Sequence, residues 1–150
     1  MTSTTVNYIP YIKRNSLAQE PYKASSKSAG FDLYAAIEKP VYIKPGEVAK
    51  IPTGLSIELP DNTFGAIFPR SGLATKKGLA PANMVGICDA DYRGEYIVAL
   101  RNYSNEIQVV SPNDRIAQLI ILQYVNVDFV EVNELSETER GEGGFGHSGT

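Results

Sequence analysis

Leu55-Ser56-Ile57-Glu58-Leu59 alternates apolar and polar side chains and then stops at Pro60-Asp61-Asn62. A period of two sends successive side chains to opposite faces of an extended chain, one face for a core and one for solvent. Proline then withholds a backbone donor, and Asp and Asn close a turn through their own side chains. A short strand ending in a tight turn is therefore the local unit, and it recurs. Tyr96-Ile97-Val98-Ala99-Leu100, Glu106-Ile107-Gln108-Val109 and Val125-Asn126-Val127-Asp128-Phe129-Val130 favour the same period. Lys44-Pro45-Gly46-Glu47 and Ser111-Pro112-Asn113-Asp114 supply further turns. The chain reads as all-β. Residues 115–122, Arg-Ile-Ala-Gln-Leu-Ile-Ile-Leu, are more continuously apolar, as expected for a strand covered on both faces or facing another subunit.

One short helix is expected near residues 72–77. Ser71 can cap it, Lys76 and Lys77 suit its last turn, and Gly78 can end it. Its first N–H groups then lie beside the Arg70 guanidinium, an arrangement fit for an anion. Residues 15–28 are polar and read as loop. With no internal repeat and no linker, residues 1–150 form one domain of a size that buries a real core.

Composition excludes several classes. The 150 residues are 43% hydrophobic and 21% charged, ordinary for a globular protein. No apolar run approaches the roughly 20 residues of a membrane span, and Met1-Thr2-Ser3-Thr4-Thr5 lacks a secretion-signal profile, so an intracellular protein, cytoplasmic or nuclear, with no membrane partner is expected. Cys88 and His147 are single, which rules out an internal disulfide and disfavours a Cys/His zinc site. A metal is then held by carboxylates, water or substrate oxygens, which favours magnesium. The net charge of −3 argues against general nucleic-acid binding, so an anionic ligand needs a local cluster; Arg70, Arg93, Arg115 and Arg140 are candidates.

Two further stretches carry chemistry. Arg140-Gly141-Glu142-Gly143-Gly144-Phe145-Gly146-His147-Ser148-Gly149-Thr150 is too rich in glycine to hold regular structure alone. Its free N–H groups can wrap an anion, Arg140 offers a planar fork for phosphate oxygens, and Phe145 offers a face for a base. It reads as a flexible lid over a nucleotide phosphate, or else as a frayed terminus. Gly141, Gly146 and Ser148 fit the phosphate-loop spacing, but His147 stands where lysine belongs and no following helix backs the loop, so a phosphate-loop NTPase is not expected. Asn83-Met84-Val85-Gly86-Ile87-Cys88-Asp89-Ala90-Asp91-Tyr92-Arg93-Gly94-Glu95 reads either as a tight hairpin with a catalytic carboxylate at its edge or as a salt-bridged turn.

Taken in order, Ala29-Gly30-Phe31-Asp32-Leu33-Tyr34-Ala35-Ala36, Pro69-Arg70-Ser71-Gly72-Leu73-Ala74, the Asp89 to Glu95 cluster, Arg115-Ile116-Ala117-Gln118-Leu119 and the Arg140 tail closely resemble the five motifs of the homotrimeric deoxyuridine triphosphatase (dUTPase) family. The resemblance spans residue 6 to residue 150. It implies a distorted jelly-roll β-barrel with one short helix, assembled as a homotrimer whose active sites are shared and whose tail, residues 140–150, closes over a neighbour's pocket. It implies hydrolysis of dUTP to dUMP and pyrophosphate by water attack on the α-phosphorus, keeping uracil out of DNA and supplying dUMP for thymidylate synthesis.

The same resemblance assigns roles. Asp89 is the catalytic base. Asn83 and the backbone of residues 84–88, including Gly86, Ile87 and Cys88, read the uracil edge; Tyr92 packs under the deoxyribose. Arg70, Ser71, Gly72, Gln118, Arg140, Gly146, His147 and Ser148 bind phosphates, and Phe145 stacks on the base. Mg2+ is held by phosphate oxygens and water rather than by side chains. Asp32 either influences that water shell or pairs with Arg115. Two positions depart from the family pattern: His147 within the tail, and Cys88 where an aliphatic residue is usual. Two other readings are a deoxycytidine triphosphate deaminase, which resembles the same fold, and a non-catalytic nucleotide sensor; the sequence also leaves room for a regulatory protein partner.

Overall fold

The structure, a computed structural model, describes residues 8–146. Eleven strands and one helix run in the order β1 (Tyr11–Lys13), β2 (Phe31–Tyr34), β3 (Val41–Ile43), β4 (Val48–Pro52), β5 (Leu55–Ile57), β6 (Thr63–Phe68), α1 (Ser71–Lys77), β7 (Leu79–Pro81), β8 (Gly86–Asp89), β9 (Ile97–Asn102), β10 (Gln108–Val110) and β11 (Arg115–Gln123). They pair as four small sheets, β1-β5, β3-β10, β2-β11-β6-β8 and β4-β9-β7, and every pairing is antiparallel. The sheets wrap one core built on Leu33, Ile43, Ile51, Leu55, Leu79, Leu100 and Ile116. The fold is mostly β, as the alternating runs imply, and jelly-roll-like, as the family resemblance implies, with no helix among the described residues long and apolar enough to cross a membrane.

The turns fall where Pro, Gly and Asn require them. Gly46, Asn62 and Asn113 all adopt left-handed backbone, with φ of 79°, 59° and 67°; Asn tolerates this region because its short amide bonds locally. The Ser111 turn is closed twice, by Asp114 N–H to the Ser111 carbonyl at 3.1 Å and by Ser111 N–H to the Asp114 carboxylate at 2.8 Å. Residues 15–28 are loop apart from one bridge, Tyr22 to Asp32. The apolar run 115–122 becomes β11, with Ile116, Ala117 and Leu119 buried between two neighbouring strands. Buried Asn102 is fully satisfied. Its amide donates to the Ile43 and Glu106 carbonyls at 2.8 and 2.7 Å, and its oxygen accepts from Ser104 N–H and Oγ, so one polar side chain ties β3 to the β9–β10 turn.

Three expectations need correction. Val125–Val130 forms no strand: β11 ends its ladder at Gln123 opposite Thr63, and residues 125–130 find no ladder partner among the described residues. Alternation makes a strand possible, but only a neighbour satisfies its amides. Ser71 does not cap α1. The cap position is Arg70, with φ −89° and ψ 131° and no side-chain cap bond, because Arg70 is tethered to Asp32 in extended backbone and the turn begins one residue later. Gly78 ends the helix as expected, at φ 64°, after Lys76 and Lys77. Finally, residues 83–95 do not fold on themselves as a hairpin. Gly86–Asp89 pairs instead with β6, where Gly65 opposite Cys88 and Ala66 opposite Ile87 leave space for a close antiparallel partner.

Candidate active site

One group of side chains gathers where β2, β11 and β6 end together. In register, Asp32 faces Gln118 and Gln118 faces Phe68, so the residues after Phe68 emerge beside both. Asp32, whose side chain is 15% exposed, accepts from Arg70 Nε at 2.8 Å and from Arg115 Nη1 at 3.2 Å. Its pairing is thus with Arg115, one of the two readings above, and with Arg70 as well. Gln118 Nε2 donates to the Pro69 carbonyl at 2.9 Å, and its side chain fills the space where Gly30 has no Cβ. Two guanidiniums share one carboxylate, which leaves a local cation excess next to the first residues of α1. That composition suits a polyanion.

A second group surrounds the end of β8. Asp89 is exposed and makes no ion pair or hydrogen bond with its side chain among the described residues. Tyr92 N–H donates to the Asp89 carbonyl at 3.1 Å, turning the chain sharply away from the sheet. Arg93 is spent on this turn: it donates to the Ala90 carbonyl at 2.7 Å and pairs with Glu58 at 3.6 Å. For Arg93 the salt-bridged-turn reading matches the geometry. Asn83 lies in the preceding turn with its amide over Gly86, where no side chain intervenes.

The loop after Asp89 is held by β5 and its approach. Tyr96 N–H donates to the Leu55 carbonyl at 2.8 Å, while the Tyr96 carbonyl accepts from Thr53 N–H and, at 2.6 Å, from Thr53 Oγ1. The Gly54 N–H donates to Glu95 at 2.8 Å, and Ser56 Oγ donates to the Gly94 carbonyl at 2.9 Å. These straps fix Tyr92, whose hydroxyl donates to the Glu95 carbonyl at 3.0 Å and whose ring stacks on Tyr96 at 6.1 Å. A cleft of about 260 Å3 opens here, lined by Ile87, Cys88, Asp89, Tyr92 and Tyr96 among others. A larger one, about 630 Å3, lies on the other side of Asp89 against Asp61, Asp91 and Tyr124. Asp89 borders both.

Burial pushes the Cys88 thiol above its ordinary range; the Tyr96 hydroxyl nearby opposes this, and the Asp89 charge adds to it. The thiol stays protonated near neutral pH, so Cys88 is no nucleophile.

The two groups do not meet within one protomer. Gln118 lies opposite Phe68 on one side of β6, while Asp89 lies opposite Phe64 on the other. The offset is four residues, about 13 Å along the strand, with a further two strand spacings, about 10 Å, across it. The tail joins neither. Arg140 Nε donates to the Gly143 carbonyl at 2.7 Å in a local turn, and Phe145 projects into solvent at φ 45°. His147 and Ser148 lie outside the described residues.

Sequence reasoning missed Glu95, Gly94 and Tyr96, which build the wall behind Tyr92. The Gly94 signal was present as a glycine two residues from an aromatic on either side, but only the fold shows that a Cβ there runs into the Tyr92 ring.

Comparison with known proteins gives a consistent result. The dUTPase family model matches residues 17–149. A deoxyuridine 5'-triphosphate nucleotidohydrolase of Desulfitobacterium hafniense is 47% identical over 142 residues, 94% of each chain. Another, from Rickettsia felis, is 50% identical over 129 residues, covering 86% of this chain and 87% of the relative. Among solved structures, the Staphylococcus bacteriophage 80alpha dUTPase with dUPNHPP superposes with a TM-score of 0.84 at 26% identity, covering 97% of this chain and all of that one. A dUTPase from phage phi11, whose structure describes a structural Mg(II) ion, shares the fold with a TM-score of 0.77 over 85% of this chain at 23% identity.

Proposed function

The chain belongs to the dUTPase family, and from that premise we propose how its residues divide the reaction. The activity is hydrolysis of dUTP to dUMP and pyrophosphate. The observation that carries the mechanism is the contrast between two carboxylates. Asp32 is enclosed by Arg70 and Arg115, whereas Asp89 stands exposed and unpaired, among the described residues, at the border of two clefts. Asp89 therefore orients a water and takes its proton as the oxygen attacks the α-phosphorus. Asp32 instead positions the guanidiniums that meet the phosphates.

Substrate recognition follows from the frame around Asp89. Strand β8 is an edge, so one row of its N–H and C=O groups is left for a base to pair with. Asn83 adds an amide that both donates and accepts, a match for the uracil edge. The Tyr92 ring, fixed from behind by Tyr96 and Glu95, presents its face to the deoxyribose and excludes a 2′-hydroxyl. Gly94→Ala forces that ring to move, and kcat/KM for dUTP is expected to fall on the order of a hundredfold through misplacement alone. Steady-state kinetics, with circular dichroism showing an unchanged fold, checks this.

Phosphates meet Arg70, Ser71, Gly72 and Gln118, with Arg140, Gly146, His147 and Ser148 arriving from the tail and Phe145 covering the base. Among the described residues no three His, Cys, Asp or Glu side chains converge on a metal-sized space, and both Asp32 oxygens are engaged. A Mg2+ would be held by substrate phosphate oxygens and water and would neutralise phosphate charge.

The distance between the groups supports a site completed by a second copy. A triphosphate seated at Asp89 does not reach Gln118 and Arg70 of the same chain, so each site takes one group from each of two protomers and the tail from a third. The surface supports this trimer. Val125, Val127, Phe129, Val130 and Leu135 are exposed, Phe129 fully and Val125 by 82%, and they follow the last ladder pair directly. An apolar groove of about 430 Å3 lined by Tyr8, Ile9, Tyr11, Phe31, Ile57 and Leu119 is the complementary seat for a neighbour's segment.

Pyrophosphate release with Mg2+ from dUTP, dTTP, dCTP and UTP at equal concentration tests the whole reading. Turnover of dUTP alone is expected. Ammonia release from dCTP, or binding without turnover, would replace it with the deaminase or the sensor.

A further inference from the structure

Strand β5 is covered on both faces, although its sequence alternates as if one face met solvent. Leu55 and Ile57 belong to the core, yet Ser56 between them, on the opposite face, is only 6% exposed. What covers it is the segment that follows Tyr92. Ser56 Oγ donates to the Gly94 carbonyl at 2.9 Å, and two residues further along the same face Glu58 pairs with Arg93 at 3.6 Å.

The Ser56 hydroxyl carries one proton, which goes to Gly94, and its oxygen accepts from Arg14 Nη1 at 3.1 Å. Arg14 directly follows β1 and reaches the loop by a second route as well. Its backbone N–H donates to the Gly54 carbonyl at 2.7 Å, and the Gly54 N–H donates to the Glu95 carboxylate at 2.8 Å. Two parallel chains of hydrogen bonds thus run from one residue near the start of the sequence to the adjacent residues 94 and 95. Bonds linked in series polarise one another, so each link strengthens the next.

The common target of both chains is the Tyr92 ring. Its hydroxyl donates to the Glu95 carbonyl at 3.0 Å, and the ring lies so close over Gly94 that a Cβ there runs into it. A shift of residues 94 and 95 is therefore passed to the ring. Asp89 is anchored elsewhere, in the ladder between β8 and β6 opposite Phe64, and none of these bonds touches its side chain.

Resting on the reading of Tyr92 as the ring that excludes a 2′-hydroxyl, we propose that Ser56 and Arg14 are positioning residues for sugar selectivity. They hold the loop after Tyr92 against the outer face of β5, so that the ring closes the space a ribose needs. They take no part in the attack on phosphorus.

Ser56→Ala and Arg14→Met test this, with kcat/KM for dUTP and for UTP measured on each. In Ser56→Ala the dUTP-to-UTP ratio is expected to fall roughly three- to tenfold, with kcat for dUTP within about twofold of wild type. Arg14→Met keeps the backbone route through Gly54 and is expected to lower the ratio about two- to threefold. In the Ser56→Ala background it is expected to add nothing, because the guanidinium acts through the hydroxyl. Arg14 is exposed, so its variant carries the test if the buried alanine does not fold. A lowered thermal midpoint with an unchanged ratio overturns the proposal, since a purely structural bond moves stability alone. An Arg14→Met effect that persists undiminished beside Ser56→Ala overturns it too. Competition between non-hydrolysable imido analogues of dUTP and UTP repeats the comparison without turnover. Wild-type protein that holds both analogues equally overturns the reading of Tyr92 itself, and the proposal with it.

Discussion

Asp89→Asn is expected to bind dUTP much as the native protein does and to lose about 10²- to 10⁴-fold or more in kcat. The amide is nearly the same size as the carboxylate and occupies an exposed position with no ion pair to lose among the described residues, so the fold and the neighbouring cleft survive. What disappears is the acceptor for the water's proton. Because the interaction is made in the transition state and not in the ground state, the loss belongs to kcat with KM little changed. Single-turnover kinetics beside a titration with a dUTP analogue separates the two. Near-native turnover would pass the base role to another group, and Asp91, which borders only the larger cleft, is the alternative to examine.

Deleting residues 140–150 is expected to leave a folded, associated protein with kcat/KM lowered at least a hundredfold. The folding half of the expectation rests on contacts. Arg140 bonds only to Gly143 of its own turn, Gly141 only to Thr138, and Phe145 is in solvent, so among the described residues the segment gives nothing to the core. The catalytic half rests on chemistry, since the deletion removes the Arg140 fork from the phosphates and the Phe145 face from the base. Thermal melting and size-exclusion chromatography check the first half and pyrophosphate release the second. A truncated chain that fails to fold or to associate would make the tail a structural element.

The fold was legible from the sequence wherever local chemistry decides it. Pro60, Asn62, Pro112 and Gly78 punctuate the chain because their torsions and side-chain bonds are local properties, and each ends or turns an element as its chemistry requires. Strand pairing was not legible, because it depends on which segments are neighbours. Residues 125–130 alternate as well as 55–59 do, yet among the described residues only the latter segment finds a strand partner, through Leu55–Ile57. The same limit applies to residues 83–95: their turn signals are real, but their partner is β6, which no local pattern specifies.

Within the candidate site, the charged and glycine residues announced themselves through ordered motifs. The supports did not. Thr53, Ser56, Glu95 and Tyr96 act through carbonyl and amide contacts across 38 to 43 residues of sequence, which only the folded chain brings together. Arg93 shows the converse: it read as an anion-binding cation until its contacts to Ala90 and Glu58 were seen.

The placement of Asp89 and Gln118 on opposite sides of β6 has a genetic corollary. If every site borrows from neighbours, a protomer is not the unit of catalysis, and a lesion is not confined to the copy that carries it. A chain damaged at β8 still lends its β11 residues to a neighbour, and a chain damaged at β11 still lends its Asp89. Two inactive alleles of different kinds can therefore complement each other in one mixed assembly, whereas two of the same kind cannot. If the assembly is the proposed trimer, a single tail lesion dilutes through a mixed population by thirds, and partial loss of function in a heterozygous setting is graded and not all-or-none.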